Sequence, residues 1–227
     1  VLNVSISFNE EYIENWVCRR FIRFTNSGTS EYVRAAILDG LKRLAYPSIE
    51  RMVRSALSEK AHESSIDVFS MNLEKLLLQP PMKDKVILGF DPAFRTGCKL
   101  AVIDASGKKL TVDVIYPHQP NAKVKESEQK LVQLCNEYHV NLIAIGNGTA
   151  SRESEAFVAN TIKKFNLPVS YTIVSEAGAS VYSASKLAIE EFPDLHVEQR
   201  SAISIARRLM DPLSELIKID PQSIGVG

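Results

Sequence analysis

Three acidic residues stand where they could hold metal ions and hydrolyse a phosphodiester. Asp91 ends one apolar run, Glu176 ends another, and Asp211 lies in the last helical region of the chain. Two-metal phosphoryl chemistry needs several carboxylate oxygens within roughly 4 Å of paired Mg²⁺ ions. Asp91, Glu176 and Asp211 are therefore the candidate catalytic and metal-ligating residues, and Mg²⁺ or Mn²⁺ is the candidate cofactor.

The residue types also leave structural alternatives open. Asp91 precedes Pro92 and suits equally well a loop-start Asp that accepts hydrogen bonds from nearby backbone N–H groups. Asp211 precedes Pro212, which is a common arrangement at a helix entry. Where a fourth-strand acid would complete a metal site, the chain has Asn147. Its amide oxygen can ligate Mg²⁺ but adds no charge, so we expect weaker metal binding than at an all-acid site.

Groups that bind phosphate occur in three loops, at residues 89–97, 146–153 and 175–180. Small residues let a sugar-phosphate backbone come close, and helix N-termini offer free N–H groups to anions. Arginine adds charge-assisted bonds to phosphate, whereas a single serine or threonine hydroxyl suits helix capping better. The predicted nucleic-acid-binding residues are Arg95, Thr96, Asn147, Thr149, Ser151, Arg152 and Ser180. This prediction depends on the three loops meeting at one place.

An α/β domain is predicted to position these loops. Apolar runs at 85–91, 99–104 and 110–116 indicate three strands, and a short turn at 105–109 makes the last two a hairpin. The pattern continues as helix 124–139, strand 141–146, helix 151–165, strand 169–174, and helices near 179–191, 201–210 and 213–218. This order describes the RNase H-like fold, a mixed five-stranded sheet with helices. Right-handed crossovers place strands one and four side by side, so their carboxyl ends share the sheet edge where ligands bind.

The first part of the chain has apolar residues at helical spacing and predicts an all-α segment of three helices. Pro80 and Pro81 end the last of them, and we place the domain boundary there. The predicted domains are a helical segment at 1–83 and an α/β domain at 84–227. Arg19, Arg20 and Arg23 surround the first helix and form either a phosphate-binding face or a solvated helix face.

The composition restricts the class of protein. The 227 residues include 27 Lys and Arg against 27 Asp and Glu, so any nucleic-acid-binding surface must be local. The cysteines lie far apart and the histidines lack metal-ligand spacing, which argues against disulfides and zinc and favours a reducing cytosol. No apolar run approaches the length of a membrane span, and no signal peptide opens the chain. We expect a cytoplasmic fragment, cut at both ends from a longer protein.

Several long runs closely resemble the bacterial Tex family of transcription accessory proteins. They are GFDPAFRTGCKLAV at 89–102, IAIGNGTASRE at 143–153, VSEAGASVYSAS at 174–185 and SIARRLMDPLSELIKIDPQSIGVG at 204–227. In the helical segment the similar runs are AYPSIER at 45–51 and NLEKLLLQPP at 72–81. The resemblance implies a multidomain, cytoplasmic, nucleic-acid-binding protein linked to transcription, whose YqgF-like domain has an RNase H-like fold. It also implies that helix-hairpin-helix and OB-fold domains follow this segment.

The same resemblance groups the domain with Holliday-junction resolvases such as RuvC, which use four carboxylates to bind metal. Position by position, Asp91 matches the first-strand acid and Asp211 is a match for the helical acid. Glu176 can substitute spatially, whereas Asn147 stands at or beside the fourth-strand acid and departs from it. The departure puts hydrolysis in doubt.

We therefore expect a fragment that binds RNA or DNA on a nuclease fold without robust cleavage. One alternative is a metal-dependent nuclease or resolvase-like hydrolase that uses Asp91, Glu176 and Asp211. Another is a protein-docking scaffold whose missing domains bind the nucleic acid. The expected partners are nucleic acid, the transcription machinery and the remaining domains of the full-length protein, with no membrane. Whether the chain is an enzyme stays open, and the presence of Asn147 in place of an acid favours a protein that is not an enzyme.

Overall fold

The computed structural model describes residues 4–226, and the chain divides between Asp67 and Val68 into two compact units. The first unit contains α1 (Glu10–Phe21), α2 (Ser30–Gly40), a π-helical segment (Leu41–Ala45) and the start of α3 (Tyr46–Leu77). Asn9 caps α1, because its Oδ1 accepts a hydrogen bond from the backbone N–H of Tyr12 at 2.9 Å. In the part of this unit that the structure describes, Cys18 alone is buried.

The second unit is built on a sheet of five strands. They are β1 (Ile87–Asp91), β2 (Cys98–Ile103), β3 (Lys109–Ile115), β4 (Leu142–Gly146) and β5 (Ser170–Val174). The sheet order is β3-β2-β1-β4-β5, in which β1 pairs antiparallel with β2 and parallel with β4. The predicted fold class is thereby confirmed: the domain has the RNase H-like arrangement, with strands one and four side by side.

Helices cover both faces of the sheet. They are α4 (Val124–Glu137), α5 (Ser151–Phe165), α6 (Ala179–Ala184), α7 (Lys186–Glu191), α8 (Val197–Met210) and α9 (Pro212–Leu216), followed by a 3-10 turn (Pro221–Ser223). On one face Phe90 packs in a core with Leu131 of α4 and Val158 of α5. On the other face Ile87 packs with Ala202 and Ile205 of α8. Alternate residues of β1 thus point to opposite cores, as the two-residue repeat of a strand requires.

Helix α8 packs so closely against β1 that there is no room for a side chain at Gly89. A Cβ atom added to Gly89 would overlap the carbonyl oxygen of Ala202 and would lie 3.0 Å from Cβ of Ala206. Glycine therefore stands in the middle of a buried strand because the helix backbone occupies the space of a side chain. This contact fixes α8 over the strand that carries Asp91.

Two helix boundaries differ from those predicted from sequence. The predicted helix at 179–191 is two helices, because the Ser185 hydroxyl accepts a hydrogen bond from Ala188 N–H at 3.2 Å and caps a new start. Helix α8 begins at Val197 rather than near residue 201, and Oε1 of Gln199 accepts a bond from His196 N–H at 3.0 Å. Its first turn is polar, so apolar periodicity alone does not reveal it.

A third core joins the last turns of α3 to the end of the chain. Leu73 and Leu76 pack against a buried cluster that includes Tyr182, Leu216 and Ile219. The predicted domain boundary at 83/84 stays a prediction. Among the described residues, none of the helices combines the length and the apolar character needed to cross a membrane.

Candidate functional site

The site is centred on Asp91, the last residue of β1, which lies directly opposite Lys99 of β2. Both side chains point to the α8 face of the sheet, where Ser201 and Glu198 of α8 are their neighbours. The carboxyl ends of β1, β4 and β5 share this edge, because the three strands are parallel. The three loops predicted to converge therefore do so here.

Burial raises the pKa of the Asp91 carboxyl from 3.8 to about 6. A hydrogen bond from Ser201 opposes this rise, and so does the positive charge of Lys99. The nearby carboxylates of Glu176 and Glu198 raise the pKa of Asp91 further, because like charges disfavour ionisation. Asp91 is thus a largely desolvated acid among other acids, the environment that commonly marks a functional site.

Lys99 is a charged side chain in an otherwise apolar strand, and it is only 4% exposed. Its Nζ donates to the carbonyl oxygen of Thr96 at 3.0 Å and to the Thr96 hydroxyl at 2.6 Å. It also pairs with Oε2 of Glu198 at 2.5 Å. The three donors of the ammonium group thereby meet three oxygen acceptors.

The Glu176 carboxylate lies in a cradle of glycines at the end of β4. A Cβ atom on Gly148 would overlap Oε1 of Glu176, and one on Gly146 would lie 2.5 Å from Oε2. Asn147, between the glycines, accepts a hydrogen bond from Glu176 N–H on its Oδ1 at 3.0 Å. The space that the small residues leave is therefore filled by an acid of the protein, and the Asn147 amide holds the loop that carries that acid.

Arg208 of α8 forms hydrogen bonds with the backbone of the loop that carries Glu176. Its Nη1 donates to the carbonyl oxygens of Ser175 at 2.9 Å and Ala177 at 2.6 Å, the two residues that flank Glu176. The side chain is buried, and burial lowers the pKa of the Arg208 guanidinium to about 10, against the opposing charges of Glu215 and Glu176. Arg208 thus fixes the position of Glu176 through the backbone.

The loop after β1 is supported from the opposite face of the sheet. The buried Cys98 thiol accepts a hydrogen bond from Ala93 N–H at 3.5 Å and lies 4.0 Å from the Ser154 hydroxyl. Ser154 in turn bonds to Nε2 of His118 at 2.8 Å. Burial raises the pKa of Cys98 and lowers that of His118, so both groups stay neutral and act as internal packing for the loop.

The predicted nucleic-acid-binding residues surround the site at its exposed rim. Arg95, Asn147, Thr149, Arg152 and Ser180 are exposed, and Ser151 is partly buried. Helix α5 begins after Ala150, which has the left-handed φ of 63° and gives the first turn no side-chain cap. An open depression of about 390 Å³ lies at this end of α5, lined by Asn147, Ser151, Arg152 and neighbours. The Ser151 N–H donates to the carbonyl oxygen of Gly148 at 3.2 Å, so the N–H groups of Arg152 and Glu153 are the ones at the start of this 15-residue helix that lack a partner among the described residues.

Two predicted residues have other partners. The Thr96 hydroxyl is engaged by Lys99. Asp211 caps α9, with Oδ1 accepting from Ser214 N–H at 3.1 Å and Oδ2 from the Ser214 hydroxyl at 2.8 Å. Asp211 follows the end of α8 and Ser201 lies near its start, so the rise of the helix puts them about 15 Å apart. Asp91 and Glu176 are brought together, and Asp211 does not join them.

The expectation of three converging carboxylates is therefore corrected, although the catalytic and metal-binding roles of the individual acids stay predictions. Between residues 4 and 226, no group of three or more His, Cys, Asp or Glu side chains is close enough to hold one metal ion. The site residues that sequence reasoning missed are Lys99, Glu198, Ser201 and Arg208. One signal was available: Lys99 interrupts an apolar strand eight residues after Asp91.

Comparison with known proteins gives a consistent result. The family model described as the Tex protein YqgF-like domain matches residues 85–210, more than half of the chain. The uncharacterized protein YdcI of Bacillus subtilis (strain 168) is 56% identical over 227 residues, which are all of this chain and 32% of that protein. The transcriptional accessory protein Tex of Neisseria gonorrhoeae is 45% identical over 208 residues, 90% of this chain and 27% of that protein.

The chain thus spans about a third or less of the length of these relatives. Among solved structures, that of RuvC from Thermus thermophilus aligns with 55% of this chain and 93% of its own, at 16% identity and a TM-score of 0.40. That likeness is too weak to carry an argument. The fold assignment rests on the strand order and on the family model.

Proposed function

The chain belongs to the Tex family, through its YqgF-like domain, and from this premise we propose that it binds the sugar-phosphate backbone of RNA or DNA without cleaving it efficiently. The contact surface is the sheet edge at the carboxyl ends of β1, β4 and β5. The observation that carries the proposal is the uncapped start of α5. There the N–H groups of Arg152 and Glu153, which have no partner among the described residues, and the exposed Arg152 side chain face one open depression. Glu153 and Glu155 also line this depression. Such a helix start suits phosphate.

The charges at this sheet edge are mixed: Arg152 lines the depression together with Glu153 and Glu155, and Arg95 lies on the loop after β1. Arg95 and Arg152 are exposed, and neither forms an ion pair among the described residues. Their guanidinium groups are free to make charge-assisted bonds to phosphate oxygens. Because the whole chain is neutral and two carboxylates line the depression, Arg95 and Arg152 are the proposed source of the electrostatic attraction, and binding through them should weaken as salt rises.

Weak or absent cleavage is proposed from the donor set. The amide oxygen of Asn147 already accepts a hydrogen bond from Glu176 N–H, and Asp211 caps a distant helix. Only Asp91 and Glu176 of the predicted acids lie near each other. The geometry does not favour the metal-dependent nuclease as a second candidate.

The test is a salt series of binding to labelled single-stranded RNA, single-stranded DNA, duplex and junction substrates in EDTA. Two or more phosphate contacts predict a linear fall of log affinity with log salt. Arg152→Ala should weaken binding to all four and reduce the slope by about one contact. Lys163→Ala, which removes a charge at the other end of α5, is the matched control and should change little.

Binding without a salt slope, or an equal loss in both variants, would remove the phosphate-contact argument. Cleavage is tested separately with Mn²⁺ and the same substrates. Metal-dependent product that disappears in Asp91→Asn would overturn the non-cleaving part of the proposal.

The cellular role follows from the family, and it is also a proposal. We infer that the protein acts in the cytoplasm beside the transcription machinery, since a relative carries the name transcriptional accessory protein. A second, docking role is favoured by one observation: the unit before Val68 exposes Trp16, Phe21 and Tyr32 by 59%, 67% and 79%. The remaining domains of the full-length protein are the proposed partner. Full-length protein in which hydrogen exchange leaves these helices unprotected would contradict that role.

A further inference from the structure

The proposed contacts leave a buried lysine at this sheet edge unexplained. Lys99 lies in the otherwise apolar strand β2 and is only 4% exposed. Moving an ammonium group from water into a protein interior costs free energy unless its donors find acceptors there. A charge at this position therefore points to a task beyond packing.

Two of the three acceptors of Lys99 belong to the loop after β1. Its Nζ donates to the carbonyl oxygen of Thr96 at 3.0 Å and to the Thr96 hydroxyl at 2.6 Å, and it pairs with Oε2 of Glu198 at 2.5 Å. If the loop opened, the ammonium would keep Glu198 and lose both oxygens of Thr96. Leaving the donors of a buried charge without acceptors is costly, so the ammonium and this conformation of the loop stabilise each other.

Arg95 lies between two anchored residues of the same loop. Phe94 meets the ring of His118 edge-on, with the ring centroids 5.9 Å apart, and Thr96 is held by Lys99. The Arg95 side chain between them is exposed. The chain is therefore fixed on each side of a residue whose guanidinium group is accessible to a ligand.

We propose that Lys99 is a positioning residue, which holds Arg95 in the place where it meets the sugar-phosphate backbone. Lys99 does not touch the nucleic acid; it acts through the two oxygens of Thr96. A contact residue that is fixed before binding loses less conformational entropy when the ligand arrives, so this preorganisation raises the affinity. The inference rests on the proposed function and separates its two arginines: Arg95 depends on Lys99, whereas Arg152 on α5 does not.

The first measurement needs no nucleic acid. Backbone ¹⁵N order parameters of residues 94–96 in the whole chain should be about 0.85 in the parent and below about 0.6 in Lys99→Met. Thr96→Val removes one acceptor without changing the charge and should lower the same values, whereas Thr96→Ser keeps the hydroxyl and should retain the parent values. Lys130→Met, which breaks an ion pair with Asp113 at 2.9 Å, is the matched control and should change none of them.

The second measurement is the affinity for labelled single-stranded RNA and DNA at constant salt. Lys99→Met and Thr96→Val should each weaken binding about two- to tenfold, which corresponds to the entropy of ordering one side chain on binding. Added to Arg95→Ala, either substitution should have no further effect. Added to Arg152→Ala, each should act in full, because the effects of independent sites add.

Three results would overturn the proposal. They are unchanged order parameters in folded Lys99→Met and Thr96→Val, an equal decrease in Lys130→Met, and affinity losses of Lys99→Met and Arg95→Ala that add. The last would mean that Lys99 attracts nucleic acid by its charge alone. Should Lys99→Met not fold, Thr96→Val decides both measurements. If the parent chain binds no nucleic acid, the proposed function fails, while the order parameters still confirm or refute that Lys99 holds the loop.

Discussion

Helix α8 has an acid near each of its ends, and the two acids differ in environment. Near the start of α8, Asp91 is largely buried among Glu176, Glu198 and Lys99, and burial raises its pKa to about 6. Beyond the end of α8, Asp211 accepts two hydrogen bonds from Ser214, which lower its pKa. Both precede proline, so the local sequence is the same in kind. The three-dimensional surroundings, and not the local sequence, therefore distinguish a helix cap from a site residue.

We expect the greatest loss of stability from breaking the contact between Gly89 of β1 and Ala202 of α8, because this contact holds α8 in place. Gly89→Ala places a Cβ on the Ala202 carbonyl, so the α8 backbone must move away from β1. We expect a loss of about 3 kcal/mol in the free energy of unfolding, the upper range for overpacking a core. Native-state hydrogen exchange of β1 amides measures it. Gly28→Ala, with no atom near its added Cβ, is the control and should be close to neutral.

If the free energy of unfolding falls equally in both glycine variants, the loss in Gly89→Ala comes from the change in backbone flexibility and not from the contact with α8. Equal protection of β1 amides in Gly89→Ala and the parent chain would contradict the close packing itself.

Asp91→Asn should have the next largest effect, and it depends on pH. The folded pKa of about 6 exceeds the ordinary 3.8, so the folded state holds the proton more tightly than the unfolded chain. The stability that Asp91 contributes is therefore fully present below about pH 4 and lost as pH rises through about 6. Relative to Asp91→Asn, the parent chain should lose about 2 kcal/mol over that window. Urea unfolding at several pH values measures the difference.

The opposite end of α8 provides the comparison for this pH dependence. The pKa of Asp211 is lowered, so its contribution is present above the ordinary value and is lost as pH falls through the folded one. The difference between the parent chain and Asp211→Asn should therefore slope in the opposite direction. Slopes of the same sign would contradict the contrast between the two ends.

Asp211→Ala removes a helix cap and should cost about 1 kcal/mol, as such caps usually do. Nucleic-acid affinity should stay unchanged, because the residue lies beyond the far end of α8 from the β1 and β4 loops. Ser214→Ala removes only the bond to Oδ2 and should cost less. The measurements are urea unfolding and the binding series described above. A drop in affinity for Asp211→Ala at constant fold would restore Asp211 to the site.

The sequence was sufficient for the fold because its signals are local. Strand periodicity, the 105–109 turn and helix spacing predicted the five strands and the shared edge of β1 and β4, which the structure confirms. The members of the site were harder to predict, since they depend on how α8 is placed. The position of Asp211 in the last helical region predicts a site residue, whereas in the structure Glu198 is the acid of α8 that reaches Lys99 and influences Asp91. The contact of Gly89 with α8 and the packing of Ile87 against Ala202 and Ile205 set which turn of the helix meets β1.

The smallest expected effect tests how the Asp91 end is assembled. Gly148→Ala pushes the Glu176 carboxylate out of its cradle, and because this is the end of a flexible side chain, the stability cost should stay below about 0.5 kcal/mol. Glu176 raises the pKa of Asp91, so its displacement should lower that pKa. Carboxyl carbon NMR of Asp91 during a pH titration reports the change, with Gly225→Ala as the control that has no atom near its added Cβ. An unchanged Asp91 pKa in folded Gly148→Ala would mean that Glu176 does not act on Asp91. The site would then consist of Asp91, Lys99 and Glu198 alone.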